Sequence, residues 1–280
     1  MKVALITGAG TGIGRASTLE FLEAGVAVVV LGRRQSRLEE LVADAGDRRD
    51  MIAMIAADAT DDDAPARAVE LALSRFGRLN YLVNNAGLGS PKPVHESDDA
   101  FLDQNLDLML RAPFRFTREA VKVMGPESCI INVSSTYALT GGLRGGAYSA
   151  AKAGLLGLTT HVACQYGSAG IRCNAVAPGA IDTEMTSDRM RSETFQRMHA
   201  EMTPSTRAGT VADVAHMIVF LCSDKAGWIN GQCIAVDGGW ASTKFLSERA
   251  LTASRTMVRP RFSHSGKPVR HADPDQNGPG

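Results

Sequence analysis

Seven short apolar runs, most of them rich in Val and Ile, recur along the chain: "KVALIT", "VAVVVL", "MIAMIA", "YLVNN", "CIINVSS", "IRCNAVAPG" and "CIAVDGG". Each is strand-length. They alternate with segments of helical period at residues 13–24, 36–45, 64–76, 98–124, 150–166 and 211–221. A strand, helix, strand pattern sustained over this length dictates right-handed crossovers and a parallel sheet. Near-continuous apolar strands require helices on both faces, because neither face of such a strand tolerates water. The expected class is α/β, a doubly wound parallel sheet of about seven strands. No repeat of solenoid period interrupts it. No boundary is visible before about residue 240, so residues 1–240 read as one domain.

The first run feeds "ITGAGTGIG", which opens a helical segment. A strand running into a tight turn leaves the N–H groups of the next helix free, and these with the helix dipole favour a pyrophosphate. Gly8 allows the turn, Gly12 lets phosphate approach the backbone, and Gly14 lets helix and strand pack closely. Dinucleotide binding is the expectation. The second run ends "VVVLGRRQSRL", where dinucleotide folds that bind NAD carry an acid for the ribose 2′-hydroxyl. Here Gly32 stands at that approximate place, followed by Arg33 and Arg34. A guanidinium suits a 2′-phosphate through paired N–H bonds, so NADP is the preferred cofactor and NAD the alternative. The competing reading is that the two arginines solvate a loop or start a helix. Thr11 tempers the preference, since the glycine loop offers no second cation there.

"AYSAAKAG" places Tyr148 and Lys152 four apart, which stacks them on one face of a helix. By itself that spacing is as compatible with an ordinary amphipathic turn as with a phenol held beside a cation for chemistry. The wider pattern decides. "TGAGTGIG", "NNAG" at 84–87, "NVSS" at 132–135, "YSAAK" at 148–152, "APG" at 177–179 and "VDGG" at 236–239 follow one another in order. Together they resemble the short-chain dehydrogenase/reductase family, in its shorter single-domain branch, from about Lys2 to Trp240. The resemblance implies a Rossmann-like fold and reversible hydride transfer between a nicotinamide and a ketone/secondary-alcohol pair.

The resemblance also implies roles. Tyr148 is the general acid/base. A free phenol titrates at about 10, and working near neutrality asks for about 4 kcal/mol in favour of the phenolate. An ammonium about 4 Å away supplies about 1 kcal/mol in water and about 4 in a partly screened site, so Lys152 suffices only in a shielded pocket. By the same resemblance Lys152 bonds the nicotinamide ribose, Ser135 holds the substrate oxygen, and Asn105 in "DQNLDL" holds a water linking Lys152 to solvent. Ser134 should point elsewhere, by strand alternation. Cofactor contacts carried over are Gly8, Thr11, Gly12, Ile13 and Gly14 in the glycine loop, Arg33, and Asp58 with Ala59 towards adenine. Asn85, Ala86 and Gly87 fall on the adenine-ribose side, and Pro178, Gly179, Ile181 and Thr183 beside the nicotinamide, with Tyr148 and Lys152 completing the set.

Residues 182–207 carry Met185, Met190, Met198 and Met202, and in the family this region is a lid. Flexible methionines suit an adaptable apolar wall; equally, a helix pair there buries its own Met stripe. "LGSPKPVHES" and "TYALTGGLRGG" are the other expected walls, and with no charge cluster among them a neutral carbonyl or alcohol is the expected substrate. A carrier-protein-linked β-ketoacyl reductase shares these motifs and would need a basic docking patch, for which Arg111, Arg115 and Arg118 are candidates. A protein that senses nucleotide without turnover is the reading from a different class. Oligomers, tetramers or dimers, are usual in the family.

Lys+Arg and Asp+Glu number 30 each, so the net charge is zero and no nucleic-acid partner is expected. The five cysteines form no CxxC pair and the six histidines are scattered, which fits free thiols in a reducing, cytoplasmic setting and no catalytic metal. No apolar run is long enough to cross a membrane. Residues 241–280 differ, with seven Lys/Arg against three Asp/Glu and four prolines. They read as a flexible extension, or alternatively as an arm, helical over 243–254, that packs on a neighbouring subunit.

Overall fold

The computed structural model describes residues 1–89, 92–142 and 144–243. The tail readings at 244–280, and Ser90, Pro91 and Leu143 of the expected substrate walls, lie outside the described residues. Every one of the seven apolar runs is a strand: β1 Val3–Thr7, β2 Ala27–Gly32, β3 Ile52–Ala56, β4 Tyr81–Asn84, β5 Ser128–Val133, β6 Ile171–Pro178 and β7 Cys233–Val236. They form one parallel sheet in the order β3-β2-β1-β4-β5-β6-β7. The order reverses between β1 and β4, and the crevice beyond the strand ends at such a switch point is where ligands bind in open α/β sheets.

The helices are α1 Gly12–Glu23, α2 Gln35–Asp44, α3 Ala64–Phe76, α4 Asp99–Leu106, α5 Ala112–Ala120, α6 Gly146–Tyr166, α7 Ser187–Arg191, α8 Glu193–Met202 and α9 Val211–Cys222. Strand alternation sorts them into two layers. Ala4, Ile6, Val28 and Val30 face Phe21 and Leu22 of α1, Leu38 and Leu41 of α2, and Val214, Ile218 and Leu221 of α9. Val3, Leu5, Ala27 and Val29 face Ala68 and Ala72 of α3, Phe116 and Ala120 of α5, and Val162 and Ala163 of α6. Local signals set the ends. The αL residue Gly77 stops α3 and returns its N–H to Leu73, while Thr210 and Asp213 close a reciprocal capping box on α9.

The segment expected as one helix over 98–124 is instead broken. Between α4 and α5 the chain widens into a π-helical turn, Asp107–Arg111. Pro113 supplies the cause: it has no N–H to give the carbonyl four residues back, and its ring collides with that carbonyl. The widened turn begins two residues after Asn105, and such turns recur at functional sites.

Candidate active site

Beneath the strand ends lies a buried polar ladder. Asn84 and Asn132 are register partners in β4 and β5. The Asn84 amide donates to Asn132 Oδ1 (2.8 Å) and Thr117 Oγ1 (3.2 Å), and the Asn132 amide donates to Thr159 Oγ1 (2.9 Å). This row ties α5 and α6 to the sheet centre, so the helix that carries Tyr148 and Lys152 is fixed relative to β5.

Above the ladder, Ser135 follows the end of β5, accepts from the Tyr137 N–H (3.2 Å) and lies within hydrogen-bonding reach of the Tyr148 phenol. The neighbouring Ser134 turns away and donates to the backbone carbonyl of Lys152 (2.9 Å). Lys152 is buried, and its Nζ donates to the Val133 carbonyl (2.6 Å) while lying 5.9 Å from the centre of the Tyr148 ring. Burial lowers the lysine from its ordinary 10.5 to about 8. Burial also raises Tyr148 above 10; the Ser135 hydrogen bond opposes this and Tyr137 adds to it. The expected depression of the phenol by Lys152 does not show in the chain alone: burial dominates at Tyr148, and the ammonium is aimed at a backbone oxygen. Asn105 is fully buried at the end of α4; its amide donates to Phe101 O (2.8 Å), and its Oδ1 has no hydrogen-bond partner among the described residues. An orphaned buried acceptor fits a water-holding position.

The glycine loop meets the requirements of a dinucleotide cradle. Thr11 precedes α1 without capping it through its side chain, and no acid occupies the first turn, so the helix N–H groups stay available to an anion. Gly8 has φ +67°, and a Cβ at Gly14 would sit 2.3 Å from the Gly8 carbonyl. Ile13 packs inward against the core, and a Cβ at Gly12 would meet Thr183 at 3.5 Å. Asn85 fastens this loop to β4: its amide donates to the carbonyls of Thr7 (3.0 Å) and Gly8 (3.1 Å). The Thr7 hydroxyl accepts from the backbone N–H of both Asn85 and Ala86. Thr7 is a positioning residue that the motif reading passed over; its signal was only its place before the first glycine. Gly87 borders Lys152, since a Cβ there would lie 3.8 Å from its Nζ.

The remaining expected contacts are spread around this crevice. Asp58 accepts from Thr60 through one oxygen and faces Arg33 at 3.8 Å through the other; Ala59 beside it is buried. Arg33 itself is largely exposed. Arg34 and Arg37 face Glu184 instead, and neither Arg37 nor Glu184 was legible as a site residue. Pro178 ends β6, and Gly179 donates to Val236 O against the turn at Asp237. Ile181 is buried and pairs with Gly209. Thr183 is knotted to Thr186, whose hydroxyl donates to Ile181 O (2.6 Å) and starts the lid.

In the lid, Met185, Met198 and Met202 are 60%, 40% and 45% exposed, so the methionines do not bury a stripe of their own. Met185 reaches across to Gly89, where a Cβ would lie 2.4 Å from its sulfur. A second wall is aromatic: Tyr137 lies in the expected segment after Ser135, whereas Trp240 was not foreseen. Tyr137 stands edge-on to Tyr148 (6.1 Å between ring centres) and 6.2 Å from Trp240, which follows the Gly238–Gly239 turn. The arginines considered for a carrier protein are engaged locally: Arg111 with Asp107, Arg115 with Asp62 (2.8 Å) and Arg118 with Glu119 (3.0 Å). Among the described residues no three metal-ligating side chains cluster, and no helix is long and apolar enough to cross a membrane.

Residues 8–241 match the family described as enoyl-(acyl carrier protein) reductase. The A-factor type gamma-butyrolactone 1'-reductase (1S-forming) of Streptomyces virginiae is 36% identical over 245 residues, covering 85% of this chain and 95% of that protein. The 3beta-hydroxysteroid dehydrogenase 2 of Eggerthella lenta is 34% identical over 248 residues, 86% of this chain and 95% of the relative. Among solved structures, a short chain dehydrogenase from Burkholderia cenocepacia in complex with NADP superposes with a TM-score of 0.80 at 28% identity, covering 85% of this chain and 96% of that one.

Proposed function

The chain belongs to the short-chain dehydrogenase/reductase family of NAD(P)-dependent oxidoreductases, and from that premise we propose that it interconverts a neutral ketone and its secondary alcohol, with NADP preferred and Tyr148 as the general acid/base. The observation that carries the reading is the Ser135, Tyr148, Lys152 and Asn105 constellation, built on one β-strand end and two helices above a fixed polar ladder. The bound nicotinamide supplies or accepts the hydride. Everything else falls to the chain. Ser135 donates to the substrate oxygen and stabilises charge developing there. Tyr148, held protonated by burial, delivers a proton to that oxygen in the reductive direction. Lys152, still an ammonium at pH 7, holds positive charge beside the phenol as it ionises and positions the ribose. Asn105 holds a water through its unpartnered Oδ1, which reconnects Lys152 to solvent.

The glycine loop, Thr11 to Gly14, takes the pyrophosphate; Asn85 to Gly87 and Asp58 with Ala59 take the adenosine half; Pro178 to Thr183 take the carboxamide side. The basic loop after β2 supports NADP. Tyr137, Trp240 and Met185 support an apolar substrate. The engaged state of Arg111, Arg115 and Arg118 disfavours carrier-protein docking at that face. Residues 1–240 form the catalytic unit of a cytoplasmic homo-oligomer, with Phe114, 53% exposed, and the small exposed residues Ala153, Gly157 and Thr160 of α6 available for close helix contact. The test is a paired fluorescence titration with NADPH and NADH, followed by turnover of a ketone panel. Tyr148→Phe should abolish turnover and leave nucleotide affinity within about twofold; surviving turnover refutes the mechanism, and failure to bind either nucleotide refutes the enzyme reading.

A further inference from the structure

Two arginines at the start of α2 converge on one carboxylate from the segment after β6. Glu184, at the start of the lid, places Oε1 3.4 Å from Arg37 and Oε2 3.7 Å from Arg34. Each oxygen serves a different guanidinium, so the carboxylate sits as an anion between two cations. Both sides of this bridge abut the phosphate-binding loop. A Cβ on Gly10 would lie 3.1 Å from Arg37 Cβ, and one on Gly12 would lie 3.5 Å from Thr183, the residue before Glu184. Glu40 also engages Arg37 (2.8 Å), from within α2, and Arg33 is turned towards Asp58 (3.8 Å). Of the acids facing these arginines, Glu184 alone belongs to the lid.

A phosphate on the ribose 2′-oxygen, brought to this loop, needs the guanidinium charge that Glu184 faces at 3.4 and 3.7 Å, and two anions at the same pair of cations repel. We propose that Glu184 is a built-in competitor for the 2′-phosphate of the cofactor: it ties the lid to Arg34 and Arg37 when that phosphate is absent and is displaced when it arrives. Cofactor choice and lid position are then one equilibrium. A nucleotide without the phosphate leaves the lid tied, whereas one with it frees the lid's first turn. The proposal rests on the reading above only in that the ribose 2′ position comes to the loop after β2.

The experiment uses the full chain and binding, not turnover. Dissociation constants for NADPH and NADH are measured for the wild type and Glu184→Gln by fluorescence titration at low and high salt. Half-exposed ion pairs of this kind predict that Glu184→Gln binds NADPH about fivefold more tightly at low salt and NADH within about twofold of wild type. The gain should fade near 1 M salt, where screening is nearly complete. Limited proteolysis reads the lid: NADPH should speed cleavage within 183–202 relative to NADH in the wild type, and the two should be alike in Glu184→Gln. Equal changes for both nucleotides, or none, overturn the proposal. If the wild type prefers NADH and Glu184→Gln shifts it towards NADPH, the competitor is supported and the NADP preference falls. If the wild type prefers NADPH and the substitution leaves the ratio unmoved, the preference stands and the competitor falls.

Discussion

Lys152 should make the folded protein less stable at neutral pH than an apolar residue of its shape would. Its ammonium has an ordinary pKa of 10.5 and one of about 8 in the fold, with burial as the cause. A depressed pKa means that the unfolded chain binds the proton more tightly. Stability from this residue is therefore greatest above 10.5 and is lost as pH falls through about 8. At 1.36 kcal/mol per pH unit, the full loss below pH 8 is about 3 kcal/mol. Lys152→Met removes that loss but also removes the 2.6 Å hydrogen bond to the Val133 carbonyl, worth about 1 kcal/mol. The variant should be more stable by about 2 kcal/mol at pH 7 and close to wild type at pH 9.5. Turnover should disappear at both. Urea unfolding at fixed protein concentration at the two pH values reads this directly, because every other titration is common to both proteins. A stability difference that stays constant between pH 7 and 9.5 would refute the argument that burial holds Lys152 down.

The same shift places the alkaline limb of kcat/KM for ketone reduction near pH 8, from discharge of Lys152, and not above 10 from Tyr148; a pH profile with its fall above 10 would contradict this. Gly14→Ala should weaken both nucleotides by at least tenfold, since its Cβ would lie 2.3 Å from the Gly8 carbonyl, and titration with either nucleotide checks it. Asn132→Ala should destabilise the fold by about 2 kcal/mol, because it removes two buried side-chain hydrogen bonds, leaving the Asn84 amide only Thr117 and the Thr159 hydroxyl only the Leu155 carbonyl; urea unfolding measures it. Tyr137→Ala should raise KM for an apolar ketone several-fold with little change in nucleotide affinity, as expected for a wall that touches substrate and not cofactor.

The strands and helices were legible because burial on both faces forces an apolar run of the right length, and little else does. Residues 64–76 coincide with α3, and 211–221 falls one residue short of α9. The single misread helix shows what periodicity misses. The apolar spacing continues through 98–124, but Pro113 forbids the regular hydrogen bond, and the break falls beside Asn105. Motif order singled out Tyr148, Lys152, Ser135 and Asn105, and the fold gathers Ser135 and Lys152 about the Tyr148 ring while Asn105 lies buried on α4 with an unpartnered Oδ1 among the described residues. Thr7, Arg37, Glu184 and Trp240 were not legible. Their partners lie on other elements, and nothing local distinguishes them from a strand residue, a helix surface, a loop aromatic or a lid acid.

The charge logic of the Tyr148–Lys152 pair was illegible for a deeper reason. Spacing reveals that an ammonium lies near a phenol; it does not reveal how dry the place is. Dryness acts on both groups in opposite senses, raising the phenol and lowering the ammonium. In the chain alone the lysine is thus the more readily deprotonated of the two. The resting pair at pH 7 is a neutral phenol beside an ammonium, which is the state that carbonyl reduction consumes. Alcohol oxidation needs the phenolate, and the chain by itself opposes it. The positive charge of the oxidised nicotinamide, present only in that direction, acts in the opposite sense. The pocket's dryness therefore sets the pH range over which the site is poised rather than the direction of the reaction, and substitutions that open the Tyr137–Trp240 wall to solvent should move the limbs of the kcat/KM pH profile back towards the ordinary values of the two groups.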